Sequence, residues 1–305
     1  MTSTPTLPSP LIFDRPLIRA RRRRAALLGP ATFLLDRVAD DLADRLGAVL
    51  RRFDLALDLG TPGEAVRAGL TRLGSVATIV AADAMPAAGV TRIPPLVTAD
   101  EEALPFRESS LDLVVSALAL QFVNDLPGVL VQVRRALKPD GLFLAALIGG
   151  DTLTELRQSF AAAESEIEGG VSPRVAPFAD LRDLGALLQR AGFALPVTDT
   201  DRVIVRYDSA FGLMRDLRRM GATNALLDRR RTPLKRATLM RMAEIYAQRF
   251  ADSDGRLRAT FEIVWLSGWA PHPDQQQPLK PGSARARLAD ALGTREISTG
   301  EKAPR

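Results

Sequence analysis

Apolar residues set the reading frame of the chain. From Leu17 to Leu50 they recur at helical spacing (Leu27, Leu28, Leu34, Leu35, Val38, Leu42, Leu46, Val49, Leu50). That predicts one or two amphipathic helices, broken near Gly29-Pro30. The period then shortens. Phe53–Gly60 (FDLALDLG) is a short apolar run closed by glycine, the pattern of a buried strand, and Gly63–Leu73 returns to helical spacing. Val76–Asp83, Ile93–Thr98, Leu111–Leu118 and Leu142–Ile148 follow as further strands. A helix over Leu126–Leu137 is stopped by Lys138-Pro139-Asp140-Gly141. Strands alternating with helices in this way predict a doubly wound, mostly parallel α/β sheet.

The second half has a different texture. Asp151–Ile167 and Ala179–Arg190 read as helices around a Gly/Pro-containing loop, Gly169–Pro177. Val197–Tyr207 and Arg258–Trp269 read as strands, with helices at Ser209–Met220 and Pro233–Phe250 between them. Trp265 and Trp269 fall on one side of the last strand and are expected in the core. The pattern divides the chain into a Pro/Ser/Thr-rich flexible start (1–16), one domain (17–270) and a disordered tail (271–305). Within the domain, 53–150 is the sheet core and 151–270 holds a helical insertion and the later strands.

Composition narrows the chemistry. The 305 residues are 46% hydrophobic and 25% charged, which excludes wholesale disorder. Cysteine is absent and the one histidine is His272. Disulfides, thiolate nucleophiles, Cys/His zinc sites and two-histidine iron sites are therefore excluded, and no metal is expected. No residue stands out as a catalytic acid, base or nucleophile. The net charge of +5 comes from 41 basic and 36 acidic residues. Almost all the basic residues are arginine beside abundant alanine, a compositional bias rather than a nucleic-acid signature. Aromatics, at 5%, are too few for base-stacking platforms. The run Arg21–Arg24 reads as a solvated helix face. No apolar stretch approaches a membrane span, and the start lacks a signal peptide's apolar segment. A cytoplasmic protein is expected, with peripheral membrane association left open.

A ligand of an open α/β sheet lies outside the carboxyl ends of the strands. Those ends carry Asp58-Leu59-Gly60, then Asp83, then Asp100, then Gln121-Phe122-Val123-Asn124-Asp125. A carboxylate at the position of Asp83 can accept both hydroxyls of a ribose, and Asp100 an adenine amino group. Gly60 allows close approach of backbone. Each acid also has a plainer reading as a solvated loop residue or helix cap. Farther on, Asp151 and Glu155 share a helix face and could hold a substrate guanidinium, or offset the helix dipole. Glu164 and Glu168 are spaced alike.

The residues carry a resemblance. LDLG (57–60), the acid Asp83, ADEEALPF (99–106), DLVVSALALQFVNDLP (112–127) and LKPDGLF (137–143) resemble class I S-adenosylmethionine-dependent methyltransferases. IFDRPLIRARRRRAA (12–26), GGDTLTELRQSF (149–160), EGGVSPRVAPF (168–178) and DLGALLQRAGF (183–193) narrow it to methyltransferase-like assembly factors of respiratory complex I. The resemblance implies a Rossmann-like class I fold with N-terminal helices and a helical insertion. It implies S-adenosylmethionine held by Asp58, Gly60, Gly63, Asp83, Asp100 and Gln121, with Asp151 and Glu155 toward the substrate. It implies a protein substrate, a complex I subunit, modified as by an arginine hydroxylase or escorted without catalysis. A carrier-protein or small-molecule O-methyltransferase, as in biotin synthesis, is the alternative. Three positions depart from the family. Pro62 and Glu64 stand where its first loop has glycines, which predicts weakened cofactor binding through a lost N–H and an added negative charge. Gln121 stands where the mitochondrial relative has histidine.

Overall fold

The computed structural model describes residues 11–85, 95–275 and 288–295. Two helices lead, α1 (Arg15–Leu27) and α2 (Phe33–Gly47), separated at Gly29, whose φ is +75°. Then come β1 (Phe53–Leu59), α3 (Ala65–Leu73), β2 (Val76–Asp83), β3 (Leu96–Thr98) and β4 (Leu111–Ala117). After a 3₁₀ turn at Leu120–Phe122 follow α4 (Leu126–Ala136), β5 (Leu137–Ile148), α5 (Thr154–Glu168) and α6 (Leu181–Arg190). The domain closes with β6 (Ala194–Tyr207), α7 (Ala210–Arg219), α8 (Arg236–Phe250) and β7 (Leu257–Trp269).

The strands form one sheet in the order β3-β2-β1-β4-β5-β7-β6. β7 pairs antiparallel with both its neighbours, and all other pairings are parallel. The order reverses between β1 and β4, so the crevice at their carboxyl ends is where such a sheet takes its ligand. Side chains alternate across the sheet as the two-residue period demands. Ala56 of β1 packs with α2 and α3, while Leu55, Leu57 and Leu59 face a second apolar layer built with α4 and α6. Trp265 and Trp269 both lie on the first layer, each beneath an arginine: Arg45 is 4.3 Å and Arg51 5.7 Å from the ring centres. Among the described residues, no helix is long and apolar enough to cross a membrane.

Three boundaries differ from the sequence reading. Residues 11–16 are not a loose lead: Phe13 bridges Leu226, and Asn124 Oδ1 accepts the N–H groups of Ile12 and Phe13 at 2.8 and 2.7 Å. Residues 1–10 lie outside the described residues, as do 93 and 94 of the expected third strand. β5 begins at Leu137 rather than Leu142, because Leu137 already pairs with Leu111 and the turn residues form an irregularity within the strand, with Asp140 at φ +64°. The chain divides into compact units after Pro271. In the expected tail, residues 288–291 form a short helix, α9 (Leu288–Ala291), and 276–287 and 296–305 lie outside the described residues.

Candidate functional site

The end of β1 is tied together by one guanidinium. Asp58 is buried, and Arg67 of α3 donates to it from Nη1 at 2.6 Å. Arg67 also donates from Nε to Glu64 at 2.9 Å and from Nη2 to the Gly63 carbonyl. Glu64 is thus a paired anchor of the loop, sharing Arg67 with Asp58, and not the unpartnered negative charge that its position in the motif suggested. Burial pushes the Asp58 carboxyl up to about 6, against the pull of Arg67. Beside it Thr61, also buried, accepts the Ala117 N–H at 3.0 Å and joins the ends of β1 and β4.

The two glycines serve different needs. Gly63 has φ +75° and open space around it, so only its backbone conformation calls for glycine. Gly60 has φ +70°, and a Cβ there would lie 2.9 Å from Glu101 Cγ and 3.2 Å from Ala119 Cβ. Gly60→Ala is therefore expected to lower the melting temperature by the equivalent of about 1–3 kcal/mol, from strain and overpacking together. A thermal melt unchanged by the substitution would show that Glu101 yields freely.

Asp83 stands half-buried at the end of β2 and accepts the Met85 N–H at 2.9 Å. Burial raises its pKa, opposed by that hydrogen bond and by Arg22. A small cavity of about 20 Å³ lies over it, walled by Arg15, Arg19, Arg22, Glu101 and Phe122. Gln121, in the 3₁₀ turn after β4, donates to the Leu118 carbonyl at 2.8 Å, and its buried Oε1 has no partner among the described residues.

Asp100 is differently placed from the expectation. It is engaged by two arginines of α1: Arg15 Nη2 at 2.9 Å and Arg19 Nη2. Burial pushes its carboxyl up, but the Glu102 N–H, Arg15 and Arg19 outweigh this and hold it below its usual value. Arg15 also pairs with the buried Glu101 and, at 3.0 Å, with Glu102, while Arg22 lies 3.9 Å from Glu101. Arg15, Arg19 and Arg22 recur at helical spacing and lay one cationic stripe over three consecutive acids. The solvated-face reading of Arg21–Arg24 holds for Arg23 and Arg24 only, since Arg21 turns inward to the carbonyls of Thr223 and Asn224.

The carboxylate pairs do not form. Asp151 is exposed and pairs with Arg202. Glu155 is buried and spends both oxygens on Thr260, accepting its backbone N–H at 3.1 Å and its hydroxyl. Glu164 lies under Arg174, whereas Glu168 binds Thr238, Arg230 and Lys235, which hold its carboxyl down at about 2.

Sequence reasoning missed a larger feature. Past the edge-to-face pair Phe13–Phe122, whose ring centres are 5.7 Å apart, opens a pocket of about 440 Å³. Its wall is Leu156 and Phe160 of α5, Phe178 of the following loop, and Met214 and Leu217 of α7. Phe122 lines both cavities, so the two adjoin through that ring.

Residues 57–145 match the methyltransferase domain family model. The chain is 43% identical over 287 residues to the protein named arginine-hydroxylase NDUFAF5, mitochondrial, of Homo sapiens, covering 92% of this chain and 83% of that protein. It is 37% identical to a malonyl-[acyl-carrier protein] O-methyltransferase of Laribacter hongkongensis, covering 88% of this chain and 94% of that protein. Among solved structures, the YcgJ protein of Bacillus subtilis superposes with a TM-score of 0.51 at 15% identity, over 76% of this chain and 98% of that one, which speaks for the fold alone.

Proposed function

The chain belongs to the class I S-adenosylmethionine-dependent methyltransferase family, and we propose that it modifies or escorts a subunit of respiratory complex I during assembly, as an arginine-hydroxylase-like protein. One observation carries this reading. The 43% identity to the human arginine-hydroxylase spans 92% of the chain, so it reaches beyond the generic sheet core into the helical insertion, which walls the larger pocket.

The residues at the strand ends fit the family's cofactor in part. The Asp83 carboxylate accepts one hydrogen bond among the described residues, the Gln121 side-chain oxygen has no partner among them, and Gly60 has the positive φ that turns the chain at the end of β1. When bound, S-adenosylmethionine supplies an electrophilic methyl group. In the proposed arrangement Asp83 accepts the ribose hydroxyls and Gln121 accepts a donor from the cofactor. Gly60, Gly63 and Asp58 shape the loop, the last through Arg67. Asp100 takes up an adenine amino group only as Arg15 and Arg19 release it. Phe122 separates this site from the acceptor's pocket and excludes water between them.

The test is mass spectrometry of complex I subunits from cells with and without the gene. A modification present only with the gene, at +16 for hydroxylation or +14 for methylation, is the expected result. Subunits of equal mass, with complex I assembled normally, would overturn the reading. The 37% identity to a malonyl-carrier-protein O-methyltransferase supports a second reading, methyl ester formation on a carrier-bound acyl group. Methyl ester production from malonyl carrier protein in vitro would establish it. We place either activity in the cytoplasm.

A further inference from the structure

The larger pocket has a charge as well as a shape. Among the described residues, no aspartate or glutamate lines it, but three arginines do: Arg174, Arg215 and Arg218. Arg174 is fixed in place. Its Nε donates to Glu164 Oε1 at 2.7 Å, its Nη2 donates to the same carboxylate, and the guanidinium lies 5.7 Å from the centre of the Phe160 ring. Glu164 is itself fully buried and accepts the backbone N–H of Ser172 at 2.7 Å and its hydroxyl at 2.8 Å. Burial pushes the Glu164 carboxyl up, but these donors and Arg174 hold it down, so it stays ionised beneath the arginine. One amino group of Arg174, Nη1, has no hydrogen bond among the described residues, and Arg174 lines a pocket whose wall is mostly apolar, with Thr223 and Asn224 as its uncharged polar residues. Arg215 and Arg218, exposed on α7, have no side-chain partner among the described residues.

A preorganised guanidinium in an apolar pocket is a receptor for a carboxylate, because a planar fork held by a second acid loses little freedom on binding. We propose that this pocket binds an acidic side chain, Asp or Glu, within an apolar stretch of the polypeptide being modified, with Arg174 on the carboxylate and Arg215 and Arg218 at the rim. The arginine set disfavours a guanidinium in the same place. The modified residue therefore lies beyond the acidic one, across Phe122 and toward the cofactor site. The proposal rests on the protein-modifying reading and supplies its substrate class: a segment with an acidic residue next to the modified position.

The test uses the full chain and three acetylated, amidated peptides, Ala-Leu-X-Leu-Ala with X as Glu, Gln or Arg, titrated by saturation-transfer NMR. The Glu peptide is expected to bind at least tenfold tighter than the Gln peptide and to be followed last by the Arg peptide. Arg174→Gln is expected to cut the preference for Glu to the severalfold part that Arg215 and Arg218 supply and leave the Gln peptide unchanged. Because Arg174→Gln strands the buried Glu164, Arg174→Gln with Glu164→Gln is the folding control. Arg215→Gln with Arg218→Gln, on exposed positions, is expected to weaken the Glu peptide severalfold without touching the melting temperature. Equal binding of Glu and Gln peptides, preference for Arg, or no peptide binding at all would each overturn the proposal. Peptide preference is read without cofactor and without complex I. Its failure is thus distinct from failure of the mass-spectrometric test.

Discussion

Replacing Arg67 by methionine is expected to lower the free energy of unfolding by about 3–5 kcal/mol near neutral pH, the cost of leaving a buried charge without its partner. Arg67 is 8% and Asp58 1% exposed, so water cannot take over when the guanidinium goes. The effect depends on pH in a definite direction. Asp58 has its carboxyl raised from 3.8 to about 6 by burial, with Arg67 as the main opposing influence. A raised carboxyl contributes stability that is fully present below the unfolded value and is lost as pH climbs through the folded one. The native protein thus gives up about 3 kcal/mol at this group between pH 4 and 6. Without Arg67 the carboxyl rises further, and the variant can protonate Asp58 instead of stranding it. Urea melts are therefore expected to show a deficit that is large at pH 8 and smaller at pH 5. Asp58→Asn, which leaves Arg67 its bonds to Glu64 and Gly63, should flatten the pH 4–6 window. Equal deficits at both pH values would remove the ion pair as the anchor of the loop.

That anchor changes the meaning of the departures at Pro62 and Glu64. From the sequence, Glu64 is an added negative charge beside the cofactor, because the motif shows only what occupies the glycine position. The compensating arginine lies one helical turn later, in α3, where a basic residue reads as ordinary surface. The sheet was legible because its signals are local: apolar runs of strand length, alternation across the faces, and turn residues at their ends. Asp83 was legible for the same reason, as the acid that closes VATIVAAD. The partners were not. Arg15, Arg19 and Arg22 meet acids 79 to 87 positions away, and nothing in the run RARRRRAA separates inward from outward arginines except their spacing about Ile18. Glu155 and Thr260 meet across 105 positions, so a helix-face argument assigned Glu155 to a substrate when it is spent on β7. The larger pocket draws its wall from α5, α7 and the loop between α5 and α6, each of which presents an unremarkable amphipathic pattern by itself.

Asp83→Ala should have the largest effect on cofactor affinity of any single change at the strand ends, and it should do so without harming the fold. In the proposed arrangement the carboxylate accepts two ribose hydroxyls, and hydrogen bonds to a charged group contribute about 1.5–3 kcal/mol each. Their loss is expected to weaken S-adenosylmethionine binding by at least about a hundredfold, at 1.4 kcal/mol per tenfold, measured by calorimetry. The ligand-free protein should melt no lower than the native one. Asp83 has a raised pKa because burial penalises its charge, so at neutral pH its removal relieves a cost. Asp100→Ala is the contrasting case. That carboxylate is held down by the Glu102 N–H, Arg15 and Arg19, so its charge stabilises the apo fold, by a modest amount at 36% exposure, and its loss should lower the melting temperature. It also releases Arg19, while Arg15 keeps Glu101 and Glu102. Asp83 thus reads out in affinity alone and Asp100 in stability first. If Asp83→Ala bound the cofactor as tightly as the native chain, the ribose would have to sit elsewhere. The small cavity over β2 would then be a gap beneath α1, with no part in holding the cofactor.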